Sequence, residues 1–115
     1  MLPDRVRLQH MLEMTQLAIQ FTRGVDRATF DQDIGLQLQV TRALEIVGEA
    51  AANVSAPLKA AHPEVPWSSI VRMRNRLVHA YFHINLTIVW KTIAEDLPPL
   101  IPQLQQLLHE LPDED

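Results

Sequence analysis

The stretch from residue 36 to residue 54, LQLQVTRALEIVGEAAANV, decides the fold class. Its apolar and small residues recur at every third or fourth position, which is the period of an α-helix and not of a strand. They cover more than one face, so this helix is predicted to contact both a core and a second surface, a candidate subunit interface. These residues are Leu36, Val40, Ala43, Leu44, Val47, Gly48, Ala51 and Val54.

The helix is expected to begin near Asp31 to Asp33, whose carboxylates suit a helix N-terminus, and to continue to about Val54. Before it, a first helix is predicted from Asp4, taken as its N-cap, to about Arg23, with Gly24 as the C-terminal stop. A short polar connection is expected to join the two helices.

Pro residues and capping residues mark the boundaries of the later elements. Ser55-Ala56-Pro57 predicts a short helical piece, and HPEVPW, from His62 to Trp67, is the main irregular loop. A further helix starts near Trp67, and Asn85 is a good N-cap for the fourth main helix. Pro98 and Pro99 are expected to break or kink the chain before a last helical stripe.

Short connections between amphipathic helices favour antiparallel neighbours. The sequence therefore predicts an all-α, up-and-down bundle of four main helices with a C-terminal helical extension, forming one domain over residues 1–115.

The composition fits an ordinary soluble globular protein, with 47% hydrophobic and 21% charged residues. No cysteine is present, which excludes disulfides and thiolate metal sites. The N-terminal MLPDRVRLQH lacks an apolar signal core, and the apolar runs are too short to span a membrane. We expect a cytoplasmic protein.

Charge is distributed unevenly along the chain. No acidic residue lies between Glu64 and Glu95, where Arg72, Arg74, Arg76 and Lys91 give a formal charge of +4. The rest of the chain therefore carries −8, since the whole carries −4. This asymmetry predicts one localised anion site on an acidic body, although a solvated helix face carrying arginines would look the same.

The segment from residue 72 to residue 83, RMRNRLVHAYFH, is the densest in chemistry-bearing side chains. On a helix Asn75 and His79 share a face, and Arg74 lies on its flank. An imidazole can transfer a proton near neutral pH, and an arginine fork can hold phosphate oxygens. The alternative is purely structural: His79 caps the helix end and the arginines are solvated.

Three other site types fit poorly. His79 and His83 have the spacing of a zinc pair, but Ala80 stands where zinc peptidases carry their glutamate, and no third ligand is evident. Glu45 and Glu49 share a helix face, but no Glu-x-x-His follows, so a di-iron site is not indicated. Their simplest role is to pair with the arginines. The glycines are too scattered for a phosphate-binding loop.

The pattern Arg74-Asn75-x-x-x-His79-x-Tyr81 resembles the Arg-x4-His-x-Tyr signature of HepT-like proteins in the HEPN superfamily. The resemblance extends through RALEIVGEAA and through residues 60–104. It implies a HEPN homodimer whose two motifs face a shared cleft, and a metal-independent endoribonuclease that needs no cofactor and acts on RNA. Arg74 and His79 take the catalytic roles and Asn75 a supporting one.

The same resemblance implies a type VII toxin–antitoxin pair. The partner is an MntA-like nucleotidyltransferase antitoxin that silences the toxin by adenylylation (AMPylation) of Tyr81, within a complex of the two proteins. Arg72, Arg76 and His83 are candidate RNA-binding or phosphate-binding residues. An alternative is a non-catalytic helical dimer that binds a nucleotidyltransferase or a nucleotide; a third is a dimeric interaction protein whose arginines pair with acidic partners.

Overall fold

The computed structural model describes residues 2–78 and 84–112, and all regular elements within these ranges are helical. The all-α bundle predicted from the sequence is confirmed. The elements are α1 (Asp4–Thr22), α2 (Arg27–Gln32), α3 (Ile34–Asn53), α4 (Ala56–Ala61), α5 (Trp67–Val78), α6 (Leu86–Lys91), a π-helical turn (Thr92–Asp96) and α7 (Leu97–Glu110).

Helix α3 lies at the centre of the bundle. It packs against α1 on one side and against α5 on another, while α7 packs along α1. The apolar stripe of α3 supplies Val40, Leu44 and Val47, which are all fully buried. Burial of one such side chain contributes about 1.5–3 kcal/mol. The other fully buried large side chains come from α1, α2, α6 and α7 and from the loop before α5: Leu8, Met11, Thr15, Phe30, Val65, Val89, Leu100, Leu104 and Leu107.

The connection between α1 and α3 differs from the prediction, because it contains the helix α2. Asp26 caps α2, its carboxylate accepting a hydrogen bond from the Thr29 backbone N–H at 2.8 Å. That bond lowers the pKa of the Asp26 carboxyl. Phe30 is fully buried, with its ring 5.2 Å from that of Trp90. Phe30 is therefore a buried side chain within an otherwise polar connection. The predicted start of α3 near Asp31 to Asp33 is confirmed, since Asp33 is its N-cap.

Asp4 was predicted to cap α1, but it is the first residue of the helix and Pro3 is the N-cap. The Asp4 carboxylate instead accepts hydrogen bonds from the Ser55 backbone N–H at 2.9 Å and from the Ser55 hydroxyl at 2.6 Å. It therefore ties the start of α1 to the turn between α3 and α4. The expected stop at Gly24 is confirmed, with a left-handed φ of +76°.

The expected interruption at Pro98 and Pro99 does not occur. Both prolines lie in the first turn of α7, where a missing backbone N–H costs little. The irregularity comes earlier, as the π-helical turn that links α6 to α7. The C-terminal extension is packed on α1, where an Arg5 Nη2 donates to the Leu111 carbonyl at 2.7 Å. Within the described residues, no helix combines the length and the apolar character needed to cross a bilayer.

Candidate active site

The loop before α5 determines where that helix begins. The Trp67 indole N–H donates to the His62 carbonyl at 3.0 Å, and the His62 ring lies 3.1 Å from the Glu64 carboxylate. Trp67 is only 7% exposed. The predicted start of the helix at Trp67 is confirmed, and this anchored indole also sets which face of α5 turns toward the core.

Arg74 lies on the core side of α5. It follows the buried residues Trp67 and Ile70 by seven and four positions, so helical periodicity places all three on one side. Its side chain is only 22% exposed. From helical spacing, Arg74 was predicted on the flank of the face that Asn75 and His79 share. The structure shows a buried stem from which the guanidinium reaches the surface.

Gly48 of α3 is the residue against which Arg74 packs. A Cβ at Gly48 would lie 2.1 Å from the Arg74 Cβ and 2.6 Å from its Cγ, closer than non-bonded carbon atoms approach. Only glycine therefore allows α3 and α5 to approach this closely. In the sequence pattern Gly48 is only one of the small residues of the α3 stripe. A glycine inside a helix costs about 1 kcal/mol relative to alanine, and this was the available signal.

Glu49, the next residue of α3, holds the outer end of the same side chain. Its Oε2 lies 3.3 Å from Arg74 Nη1. The pairing of this glutamate with the arginines, expected from the sequence, is confirmed. Because Glu49 is 64% exposed, the pair contributes at most about 1 kcal/mol to stability. Its main effect is on the orientation of the guanidinium.

The Arg74 Nε atom is buried and has no hydrogen-bond partner within the described residues. The inner edge of the guanidinium is therefore enclosed, while Nη1 lies beside the exposed carboxylate of Glu49. A phosphate competing with Glu49 would be held by the Nη donors of Arg74. The position of this side chain is already determined by its packing. Such an arrangement suits an anion site, because little side-chain entropy remains to be lost on binding.

Asn75, Arg72 and Arg76 are all exposed on α5. The Arg72 Nη2 donates to the Ser69 hydroxyl at 3.3 Å. At about 100° per residue, Asn75 lies midway around the helix between Arg74 and Arg76. The structure therefore separates the predicted arginines: Arg74 faces α3, whereas Arg72 and Arg76 line a groove beside α6 and α7.

Comparison with known proteins identifies the family. The family described as HepT-like, "Ribonuclease HepT-like", matches residues 11–107. The chain belongs to the HepT-like ribonuclease family. It is 41% identical over 100 residues to the "Probable ribonuclease HepT" of Thermococcus cleftensis, covering 87% of this chain and 91% of that protein.

A second relative is the "Putative RNase TTE0752" of Caldanaerobacter subterraneus subsp. tengcongensis. It is 35% identical over 106 residues, covering 92% of this chain and 95% of the relative. No solved structure matches this chain. The family resemblance inferred from the motif is thus confirmed, since the matched region includes the whole of α3 and α5.

Three residues of the HepT-like signature region, His79, Tyr81 and His83, lie outside the described residues. Their predicted roles stay predictions. Within residues 2–78 and 84–112, no three histidine or acidic side chains are grouped as metal ligands. In the described part of this HepT-like protein, Arg74 contacts Gly48 and Glu49. A separate groove is lined by Arg72, Arg76 and Lys91.

Proposed function

We propose that this HepT-like protein is a metal-independent endoribonuclease toxin that acts in the cytoplasm with Arg74, Asn75 and His79. The observation that carries the proposal is the confinement of Arg74 between Gly48 and Glu49, with its guanidinium end at the surface. Membership of a ribonuclease family supports RNA as the substrate.

In the proposed reaction the neutral His79 imidazole removes the proton of a ribose 2′-hydroxyl. The 2′-oxygen forms a bond to the adjacent phosphorus, the bond from phosphorus to the 5′-oxygen breaks, and the imidazolium formed in the first step returns its proton, directly or through water, to that leaving oxygen. Arg74 stabilises the charge that accumulates on the phosphorane, where a preorganised cation is most effective. Asn75 holds a phosphate oxygen or the imidazole.

The direct test is incubation of the purified chain with a mixed-sequence RNA in the presence of EDTA. The expected products carry a 2′,3′-cyclic phosphate at one end and a 5′-hydroxyl at the other. A chain that binds the nucleotidyltransferase but produces no such ends would instead be the alternative, a non-catalytic helical module.

We also propose that the active form is a homodimer. At about 100° per residue, Ile34, Leu38, Glu45 and Glu49 fall within about 60° around α3. Ile34 is 70% exposed and Leu38 is 58% exposed, so this face of α3 presents two large apolar side chains, one helical turn apart, at the surface. Since Glu49 contacts Arg74, a partner packed on this face of α3 would bring the two sites close together.

Leu38→Glu is expected to convert the dimer to a monomer, because it places a charge in the apolar part of the proposed interface. Sedimentation velocity at micromolar concentration measures the change. The matched control is Gln39→Glu, which adds the same charge at an exposed position on another side of the same helix. An intact dimer with Leu38→Glu would contradict the proposal that α3 forms the interface.

Neutralisation is proposed to occur by transfer of AMP from ATP to the Tyr81 hydroxyl, with release of pyrophosphate and the phenolic proton, catalysed by an MntA-like nucleotidyltransferase antitoxin in a type VII pair. Only one residue separates Tyr81 from His79 in the sequence. The phosphate of the added AMP would bring negative charge, and the nucleoside would bring bulk, close to the proposed RNA site, where they would compete with the substrate for its arginines.

Tyr81→Phe is expected to cleave RNA at nearly the wild-type rate and to resist neutralisation, because it lacks only the acceptor oxygen. Intact-mass measurement after incubation with the antitoxin and ATP should show the addition of AMP to the wild type alone. Addition of AMP to Tyr81→Phe would identify another acceptor, and loss of cleavage would assign the phenol a catalytic role instead.

A further inference from the structure

A groove lies between α5 and the segment that runs from α6 to α7, with Val47 of α3 also in its lining. It has a volume of about 510 Å³, within the range of about 300–1,000 Å³ that small-molecule sites occupy. Ile70, Leu97 and Leu100 form a buried apolar floor, and the π-helical turn contributes one wall. Such turns in helices are frequent at functional sites.

Three cations line this groove: Arg72 and Arg76 on α5, one turn apart, and Lys91 at the end of α6. All three are exposed. Glu95 and Asp96 also line the groove. Among the ion pairs between described residues, none within 4.0 Å involves these three cations. The groove therefore presents positive charges that no carboxylate of the described chain neutralises at close range.

We propose that this groove binds one nucleotide of single-stranded RNA beside the cleavage site, with its phosphate held by Arg72, Arg76 and Lys91 and its base on the apolar floor. The inference deepens the proposed ribonuclease function and rests on it. Asn75 lies between the Arg74 side and the Arg76 side of α5, so a strand crossing the exposed face of this helix reaches both sites.

The observations favour RNA over a second copy of the chain as the occupant. Lysine, glutamate and aspartate are depleted in protein interfaces, whereas Lys91, Glu95 and Asp96 all line this groove. The exposed apolar side chains of Ile34 and Leu38 lie instead on α3, at the proposed dimer face. A positively charged groove that follows the phosphate backbone is a usual means of holding a single strand.

The experiment measures the Kd of a fluorescent 2′-O-methyl RNA of about ten nucleotides, a length that single-strand sites commonly occupy. This probe has no free 2′-hydroxyl and cannot be cleaved, so binding is scored independently of catalysis. Lys91→Glu is expected to raise the Kd about tenfold or more. Lys91→Ala should reduce the slope of log affinity against log salt by about 0.7, the value for one phosphate contact on a single strand.

Two further variants separate the groove from general charge effects. Arg23→Glu reverses an exposed cation at the end of α1 and should bind the probe nearly as the wild type does. Ser69→Trp fills the groove from an exposed position and should raise the Kd without changing the salt slope. An unchanged Kd for Lys91→Glu, an equal loss with Arg23→Glu, or wild-type binding by Ser69→Trp would each overturn the proposal.

Sedimentation velocity of the same variants tests whether a second copy of the chain occupies the groove instead of RNA. A change of oligomeric state with Lys91→Glu would show that the groove is a subunit contact and overturn its assignment to RNA. Failure of the proposed function is separate: a wild type that binds the probe but leaves ordinary RNA intact would refute ribonuclease activity and leave the binding result standing.

Discussion

His79→Ala is expected to lower kcat for RNA cleavage by about 10²–10⁴-fold, the contribution that a positioned proton-transfer group usually makes. Arg74→Ala should lower it by about 10²–10³-fold, comparable to the loss of one preorganised donor to a developing anion. Arg74→Lys should restore little, because a compact ammonium cannot replace a planar fork with several donors. EDTA should leave the wild-type rate unchanged.

Tm and the Kd for the uncleavable probe distinguish the two variants from misfolded protein. His79→Ala should retain the wild-type Tm and its affinity for the uncleavable probe, since the imidazole is proposed to act on the proton and not on binding. Arg74→Ala should bind less tightly as well as react more slowly. Wild-type cleavage by His79→Ala, or dependence of the wild type on a divalent ion, would refute the mechanism.

Gly48→Ala is expected to impair both stability and cleavage, although alanine normally favours a helix by about 0.5–1 kcal/mol over glycine. The new Cβ would lie 2.1 Å from the Arg74 Cβ, so α3 and α5 must separate. Overpacking of this kind costs about 1–3 kcal/mol, which exceeds the gain in helix propensity. A displacement of Arg74 by about 1 Å can reduce the rate about 10²-fold.

Gly35→Ala is the matched control for this substitution. Gly35 is in the same helix, and a Cβ there would meet its nearest atom, Asp33 Oδ1, at an ordinary 3.6 Å. It should therefore leave Tm equal or slightly higher and cleavage unchanged. Thermal unfolding and steady-state cleavage of the two variants give the comparison. If Gly48→Ala matches Gly35→Ala in both, the close approach at Arg74 does not position the site.

Several boundaries were predictable because they depend on local chemistry. Ser55 and Asn85 cap their helices with bonds to backbone N–H groups three residues later, as the residue types indicated. Helix α2 was missed because the buried position of Phe30 depends on Trp90, 60 residues later in the chain. The two prolines after Leu97 were expected to break the chain because proline lacks a backbone N–H. They lie instead in the first turn of α7, after a π-helical turn that residue types do not reveal.

For the candidate site, the sequence alone determined which side chains are available and on which helix they lie, since helical periodicity and the family motif are local patterns. Tertiary packing decided what each arginine faces. Arg74 is enclosed because Gly48, 26 residues earlier, allows α5 to approach α3, whereas Arg76, only two residues further along the same helix, lines the groove beside Lys91. Residues two apart on a helix point about 200° apart around its axis. Arg74 and Arg76 therefore meet different neighbouring helices, and the packing around α5 gives each of them a separate role.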